Sequence, residues 1–284
     1  MNLTSHSKDA LKVINSAVNA ALDEDIGTGD VTAASFNNNE TTSAKVICRE
    51  EAVLCGQQWF ELAFYKLDPD IAIDWKLNDG DQLEKDTTVC ALSGSAQAIL
   101  TGERTALNFL QTLSGTATKT KIYVDRIAGT NAQILDTRKT LPGMRYAQKY
   151  AVRCGGGKNH RMGLYDAILI KENHIATAGS VSKAVNEAKQ QHPAIKLEIE
   201  VENTSQLKEA LKTQTDVILL DNFSLSELEN AVAITDGQKK LEASGNMTLE
   251  NIREVAKTGV DYISIGAITK HVQAVDFSMR FKAE

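Results

Sequence analysis

The chain has 284 residues, 42% of them hydrophobic and 24% charged, with three prolines and a formal net charge of −6. That size and balance describe an ordinary globular α/β protein of one large or two smaller domains. They argue against nucleic acid as the main partner, because phosphate binding wants a broadly positive surface. No apolar run approaches the roughly 20 residues needed to span a bilayer, and the N-terminus has no secretory pattern. Cys48, Cys55, Cys90 and Cys154 are scattered, with no C-x-x-C pair. They read as free thiols in a reducing, cytoplasmic setting.

The first element in chain order is a helix over 9–22, with Leu11, Ile14, Val18, Ala21 and Leu22 on one stripe. A Gly-rich turn, DEDIGTGDVT, follows. The stretch 43–93 is strand-like and turn-rich, interrupted by a helix over 57–67, and suggests a small α+β unit. Residues 97–128 read as helix, with breaks near Gly102 and Gly115.

Beyond residue 130 short apolar strands end in a polar or small residue, and a helix usually follows. The strand ends are Asp136, Lys171, Glu200, Asp221, Ser244 and Gly266, spaced 35, 29, 21, 23 and 22 residues apart. Helices are expected at 180–191, 204–213, 224–235 and 248–258, the last capped by Thr248 and stopped by Gly259. Consecutive β-α units build a parallel sheet with right-handed crossovers. In KLEIEVE the carboxylates Glu198, Glu200 and Glu202 alternate with apolar residues and share one face. An open doubly wound sheet would bury that face under helices at high cost, whereas a barrel with a polar interior accepts it. A barrel is therefore favoured.

Charge singles out one region. Residues 137–171 carry eight lysines and arginines against the single acid Asp166, with Gly155, Gly156 and Gly157 in the middle. A solvated basic face is the plain alternative. Strand-like flanking runs, rather than an amphipathic surface helix, favour a site for a small, multiply charged anion. In β-α folds the functional groups gather where strands end. A barrel would bring cations from the first two strands, carboxylates from the next two and small backbone donors from the last two to one rim. The cations would hold an anion, and Glu200 and Asp221 would hold Mg²⁺ or hydroxyls. Ser244–Asn246 and Ser264–Ala267, each near a helix start, would present N–H groups to phosphate.

The motifs DTRKTLPGMR (136–145), KYAVRCGGGKNHRMGLYDAILIKENH (149–174), EIEVEN (198–203), LLDN (219–222), EASGNMT (242–248) and GVDYISIGAITKH (259–271) resemble the quinolinate phosphoribosyltransferase family. EDIGTGDVT (24–32) and TGERTALNFLQTLSG (101–115) extend the resemblance over nearly the whole chain. It implies an α/β sandwich domain over 1–115, to which the tail 271–284 returns, and an open TIM-like barrel of about six parallel strands over 116–270. It also implies transfer of a phosphoribosyl group from 5-phosphoribosyl-1-pyrophosphate (PRPP) to quinolinate with loss of CO₂, Mg²⁺ as cofactor, and a homodimer or hexamer.

The implied roles fall on matching positions. Arg138, His160, Arg161 and Lys171 would surround the quinolinate dianion beside Thr137, and Arg104 would arrive from a partner subunit. Lys139 would face pyrophosphate. Glu200 and Asp221 would contact ribose and Mg²⁺ and, with Lys171, form the catalytic set. Ser244, Gly245, Asn246, Ser264, Ile265 and Gly266 would cradle the 5-phosphate. Asn246 replaces a glycine usual in the family, and Thr116 a larger aliphatic residue, a change expected to alter packing only. Three rivals are a class I aldolase-like lyase using Lys171, a transferase for another aromatic acid, and a non-catalytic anion-binding protein.

Overall fold

A computed structural model describes residues 8–35 and 40–281, and they form two compact units. The first comprises residues up to 121, then 141–156, then 271 onward. The second comprises 122–140 and 157–270. The stretch 141–156 thus clusters with the sandwich residues, although it lies within the span expected to be barrel.

In the first unit α1 (Lys8–Ile26) precedes β1 (Thr41–Cys48), β2 (Ala52–Val53), α2 (Gln57–Tyr65), β3 (Ala72–Trp75), β4 (Gln82–Leu83) and β5 (Thr88–Ser95). The long helix α3 (Ala96–Arg126) follows, and α4 (Arg145–Cys154) also belongs to this unit. A four-stranded antiparallel sheet runs in the order C-terminal strand (Phe277–Phe281), β1, β5, β3. The period-2 pattern of β1 turns Ala44, Val46 and Cys48 inward. They join one apolar core with Trp59, Phe60 and Phe64 of α2, Leu107, Leu110 and Leu113 of α3, and Tyr150 of α4. All four cysteines are buried and free.

The expected breaks in the long helix do not occur: α3 runs 31 residues through Gly102 and Gly115. Both glycines allow close packing instead. A Cβ on Gly102 would lie 2.8 Å from the Phe64 ring, and one on Gly115 only 2.0 Å from the Gln273 carbonyl oxygen. The tail is held there by Val275 N–H donating to Gln111 O and by Lys119 Nζ donating to His271 O. Thr116, expected to matter for packing alone, also sits with its hydroxyl 3.5 Å from Gln148 Nε2.

Asp79 anchors the start of α2. Its Oδ1 accepts the Gly56 and Gln57 N–H groups, and its Oδ2 accepts the Tyr150 hydroxyl at 2.8 Å. Burial nevertheless pushes its carboxyl up to about 6, the hydrogen bonds opposing only part of that rise. Between the ordinary value and about 6 the folded chain keeps a proton that the unfolded chain has lost. Stability contributed by this group therefore falls as pH rises through that window and is flat above it. Asp79→Asn cannot titrate, so relative to this variant the native chain should lose about 3 kcal/mol between about pH 4 and 6.5. Urea unfolding of both chains at each pH measures the difference, and a pH-independent difference refutes the assignment.

The second unit contains β6 (Gln133–Leu135), β7 (Ile168–Ile170), α5 (Glu172–Ala178), α6 (Val181–Gln191), β8 (Leu197–Val201), α7 (Thr204–Ala210) and β9 (Val217–Asp221). It continues through α8 (Leu225–Thr235), β10 (Lys240–Ser244), α9 (Ile252–Lys257), β11 (Tyr262–Ser264) and α10 (Ala267–Lys270). The six strands are all parallel, in the order β6-β11-β10-β9-β8-β7. Sheet order closes the first strand on the last and leaves the first and second unpaired, so the TIM-like barrel is open at that seam. Lys158 forms a single parallel bridge to Leu135 beside the gap.

Helices α6, α7 and α8 start within one residue of the expected positions, where Ser180, Asn203 and Ser224 each accept an N–H of the first turn. The last expected helix is shorter. Thr248 is not its N-cap; α9 begins at Ile252 after a turn in which the Thr248 N–H donates to Asn251 Oδ1. Among the described residues no helix is long and apolar enough to cross a membrane.

Candidate active site

Every residue of β8 is buried. Leu197, Ile199 and Val201 alternate with Glu198 and Glu200, which are 4% and 8% exposed. Glu202, expected on the same inner face, lies past the strand end and is exposed. The neighbouring β10 adds Glu242, 1% exposed, to the buried acids. Neither Glu198 nor Glu242 was among the expected site residues. Period 2 was the available signal, since Glu242 stands two residues before Ser244 and shares its side of the strand.

At the C-terminal ends of the strands two adjoining cavities open, of about 350 and 540 Å³. Thr137, Lys139, Lys171, Glu200, Ser244 and Ser264 line both. The smaller adds Arg138, His160, Arg161 and Glu242, with Leu169 and Leu219 as apolar surface. The larger adds Asp221, Gly245, Asn246, Ile265 and Gly266. Every expected site residue but Arg104 therefore stands in one of these walls. Arg104 is exposed on α3 of the first unit.

The basic segment is not one cluster. Arg138, Lys139, Arg161 and Lys171 face the cavities, while Arg145, Lys149 and Arg153 stand on α4. That helix fills the middle of the segment: seven of its ten residues are buried, and Ala147, Tyr150, Ala151 and Cys154 join the first unit's core. Arg153 stacks over the Tyr150 ring at 5.6 Å.

Buried Asp136 organises the cationic side. Its Oδ1 accepts the His160 backbone N–H at 2.9 Å and its Oδ2 accepts Asn159 Nδ2–H at 2.6 Å. Arg161 donates from Nη1 to the Ala167 carbonyl. Burial, and then the nearby Arg138 charge, lower its affinity for a proton. Two guanidiniums that repel each other across a cavity wall favour an anion between them. Opposite them, Lys171 Nζ donates to Glu200 Oε2 at 2.5 Å. Burial raises the Glu200 carboxyl above its usual range, Lys171 opposes the rise, and Asp221 adds to it.

The small-residue loops are shaped for close approach. Gly245 has φ +98°, and a Cβ there would lie 2.1 Å from Asn222 Oδ1. Asn246, where a glycine was expected, adopts φ +51°, a left-handed conformation that asparagine tolerates. The SGN loop precedes a turn, and α9 starts six residues beyond Asn246, so it is not at a helix start. Gly266 directly precedes α10.

A parallel-stranded α/β barrel with two arginines, two lysines and two carboxylates at the strand ends is built to hold a polyanion beside a hydroxyl-rich or metal-bearing group. Two family models match: the quinolinate phosphoribosyl transferase N-terminal domain over residues 30–114 and its C-terminal domain over 116–280. The chain is 42% identical to the probable nicotinate-nucleotide pyrophosphorylase [carboxylating] of Bacillus subtilis, over 90% of this chain and 89% of that protein. It is 40% identical to quinolinate phosphoribosyltransferase [decarboxylating] 1b of Nicotiana tabacum, over 95% and 83% of the two chains. The solved nicotinate-nucleotide pyrophosphorylase of Francisella tularensis superposes with a TM-score of 0.93 at 45% identity, covering 99% of each chain. This chain belongs to the quinolinate phosphoribosyltransferase family.

Proposed function

We propose that the protein is a quinolinate phosphoribosyltransferase, a pentosyltransferase of de novo NAD synthesis. It joins quinolinate and PRPP to give nicotinate mononucleotide, pyrophosphate and CO₂. The observation that carries this reading is the pair of adjoining cavities: the smaller holds Arg138 and Arg161 with apolar Leu169 and Leu219, and the larger adds Asp221 and the glycine loops. The first suits a flat aromatic dianion, and the second suits a phosphorylated sugar.

Arg138 and Arg161 grip the two carboxylates, with Lys171 between this cavity and the sugar. Lys139 faces the pyrophosphate, and Glu200 and Asp221 face the ribose hydroxyls. The Ser244–Asn246 and Ser264–Gly266 loops receive the 5-phosphate through backbone N–H groups. The pyridine nitrogen lone pair forms a bond to the anomeric carbon as the C–O bond breaks toward pyrophosphate. The ring is then cationic, so the electron pair left on C2 is stabilised when the 2-carboxylate departs as CO₂. A solvent proton then bonds to C2. The protein's part is chiefly to hold two strongly anionic molecules within reacting distance.

Glu200 and Asp221, on neighbouring strands, offer hard oxygen ligands of the kind Mg²⁺ takes together with substrate phosphates and water. Glu200 Oε2 is paired with Lys171 and Asp221 Oδ2 with Asn222, and each carboxylate has a second oxygen. Those residues fit the ion, whose charge would assist pyrophosphate departure when bound.

Engagement of Lys171 Nζ by Glu200 disfavours the aldolase reading, which needs a free amine in a dry site. Purified protein with quinolinate, PRPP and Mg²⁺ is expected to form nicotinate mononucleotide and CO₂ in equal amounts. Nicotinate in place of quinolinate should give at least about 100-fold less product, since one carboxylate grip is lost. Equal turnover of both acids would point to a transferase for another aromatic acid.

The exposed Arg104 fits a cytoplasmic homodimer in which a second copy supplies this cation to the quinolinate cavity. Mixing inactive Arg104→Ala and Arg138→Ala chains should restore up to about a quarter of native activity, since each mixed dimer regains one intact site. No recovery would refute the shared site.

A further inference from the structure

His160 lines the smaller cavity, and both of its ring nitrogens have partners within the protein. Nδ1 accepts the Arg161 backbone N–H at 2.7 Å. A ring nitrogen that accepts carries no proton, so Nε2 is the protonated one. It lies 2.9 Å from Glu198 Oε2 and 3.7 Å from Glu242 Oε2. Its backbone N–H is held in turn by Asp136. The residue is thus fixed on three sides, and the next residue in the chain is Arg161 in the cavity wall.

Two glutamates buried this deeply need a reason, because an uncompensated buried carboxylate is costly. Glu198 Oε1 and Glu242 Oε1 are buried without a hydrogen-bond partner. A further cavity of about 290 Å³ lies against them, bounded by Lys158, Arg161 and Lys196. Burial, and then the adjacent Glu198, hold the Glu242 carboxyl well above its ordinary range. A metal ion is one reading of such a trio, since His160, Glu198 and Glu242 offer ligand atoms within 4.8 Å of one another. A ligating histidine, however, normally donates its other ring N–H, and here Nδ1 accepts instead.

We propose that Glu198 is a positioning residue for the carboxylate-binding cavity: it holds the His160 Nε2–H, with Glu242 buried beside the pair, and His160 fixes the backbone that carries Arg161. Neither glutamate acts on the reacting atoms. The clamp works through distance and direction, keeping the Arg161 guanidinium where a carboxylate of the aromatic acid arrives. Its effect falls on one substrate and not on the other. This inference rests on the quinolinate reading above.

The test is steady-state kinetics on the purified full chain, varying quinolinate and PRPP separately, with near-isosteric variants that keep the volume filled. Glu198→Gln and His160→Gln should each raise KM for quinolinate by about tenfold while KM for PRPP stays within about twofold. The double variant should be no worse than His160→Gln alone, because both changes break one chain of contacts. Equal rises in both KM values, an unchanged KM for quinolinate, or full additivity of the pair would each overturn the clamp. A native chain that makes no nicotinate mononucleotide would overturn the parent reading instead, so the two failures are distinguishable.

Discussion

Lys171→Ala is expected to lower kcat/KM for quinolinate by about a thousandfold, or about 4 kcal/mol. Two losses combine. The cavity forfeits a cation that faces an incoming dianion, and Glu200 forfeits the ammonium 2.5 Å from its Oε2. Glu200 is 8% exposed, and burial already raises its carboxyl above the usual range. Removing one member of such a pair leaves the other desolvated and alone, which typically costs several kcal/mol. The lysine side chain itself is 44% exposed toward solvent. Its full effect therefore develops once substrate fills the cavity and excludes water. Lys171→Arg should recover little, because a planar fork cannot take the place of a compact ammonium between two groups. Rapid-quench measurements of pyrophosphate and CO₂ separate the steps. If the variant releases CO₂ from the bound mononucleotide at the native rate, Lys171 has no part in departure of the carboxylate.

Gly115→Ala should be the most damaging single-methyl change in the first unit. The added carbon would meet the Gln273 carbonyl oxygen at 2.0 Å and the Ala274 Cα at 3.4 Å, both backbone atoms that no rotamer change can move. Either α3 bends or the tail lifts, and the tail carries the strand Phe277–Phe281 that pairs with β1. Overpacking of this kind costs about 3 kcal/mol or more, which lowers Tm by roughly 6–12 °C at this chain length. Gly129→Ala is the control: its φ is +84°, but a Cβ there would have nothing within 4 Å. It should cost only about 1 kcal/mol, from backbone strain alone. Thermal unfolding of both variants compares them directly, and equal shifts would show that the tail yields freely.

Helices α6, α7 and α8 were legible from the β-α rhythm, and local capping fixes where each one starts. Ser180, Asn203 and Ser224 offer an oxygen to N–H groups two or three residues away, whatever the rest of the chain does. Strand ends were legible for a similar reason, since an apolar run must stop where a polar residue meets the rim. Alternation in β8 pointed the right way for Glu198 and Glu200, but it overran the strand at Glu202. Gly102 and Gly115 misled because a glycine in a helix reads locally as a weak point. Their purpose is visible only once Phe64 and Gln273 are seen against them. The same holds for α4. Its lysine and arginines raised the local charge, yet seven of its ten residues are buried, four of them in a core assembled from distant segments.

What the sequence alone determined is therefore the list of parts: the β-α rhythm, the residues at the strand ends, and the motifs that mark the family. Each depends on interactions within a turn or on period along one strand. The tertiary structure decided which of those charges meet. It set Lys171 on Glu200 across two adjacent strands and gave His160 to Glu198 and Glu242. It also divided the basic segment between a cavity and a core. Such pairings depend on strand order and on the depth to which a side chain is drawn from water. Neither is set by neighbours along the chain.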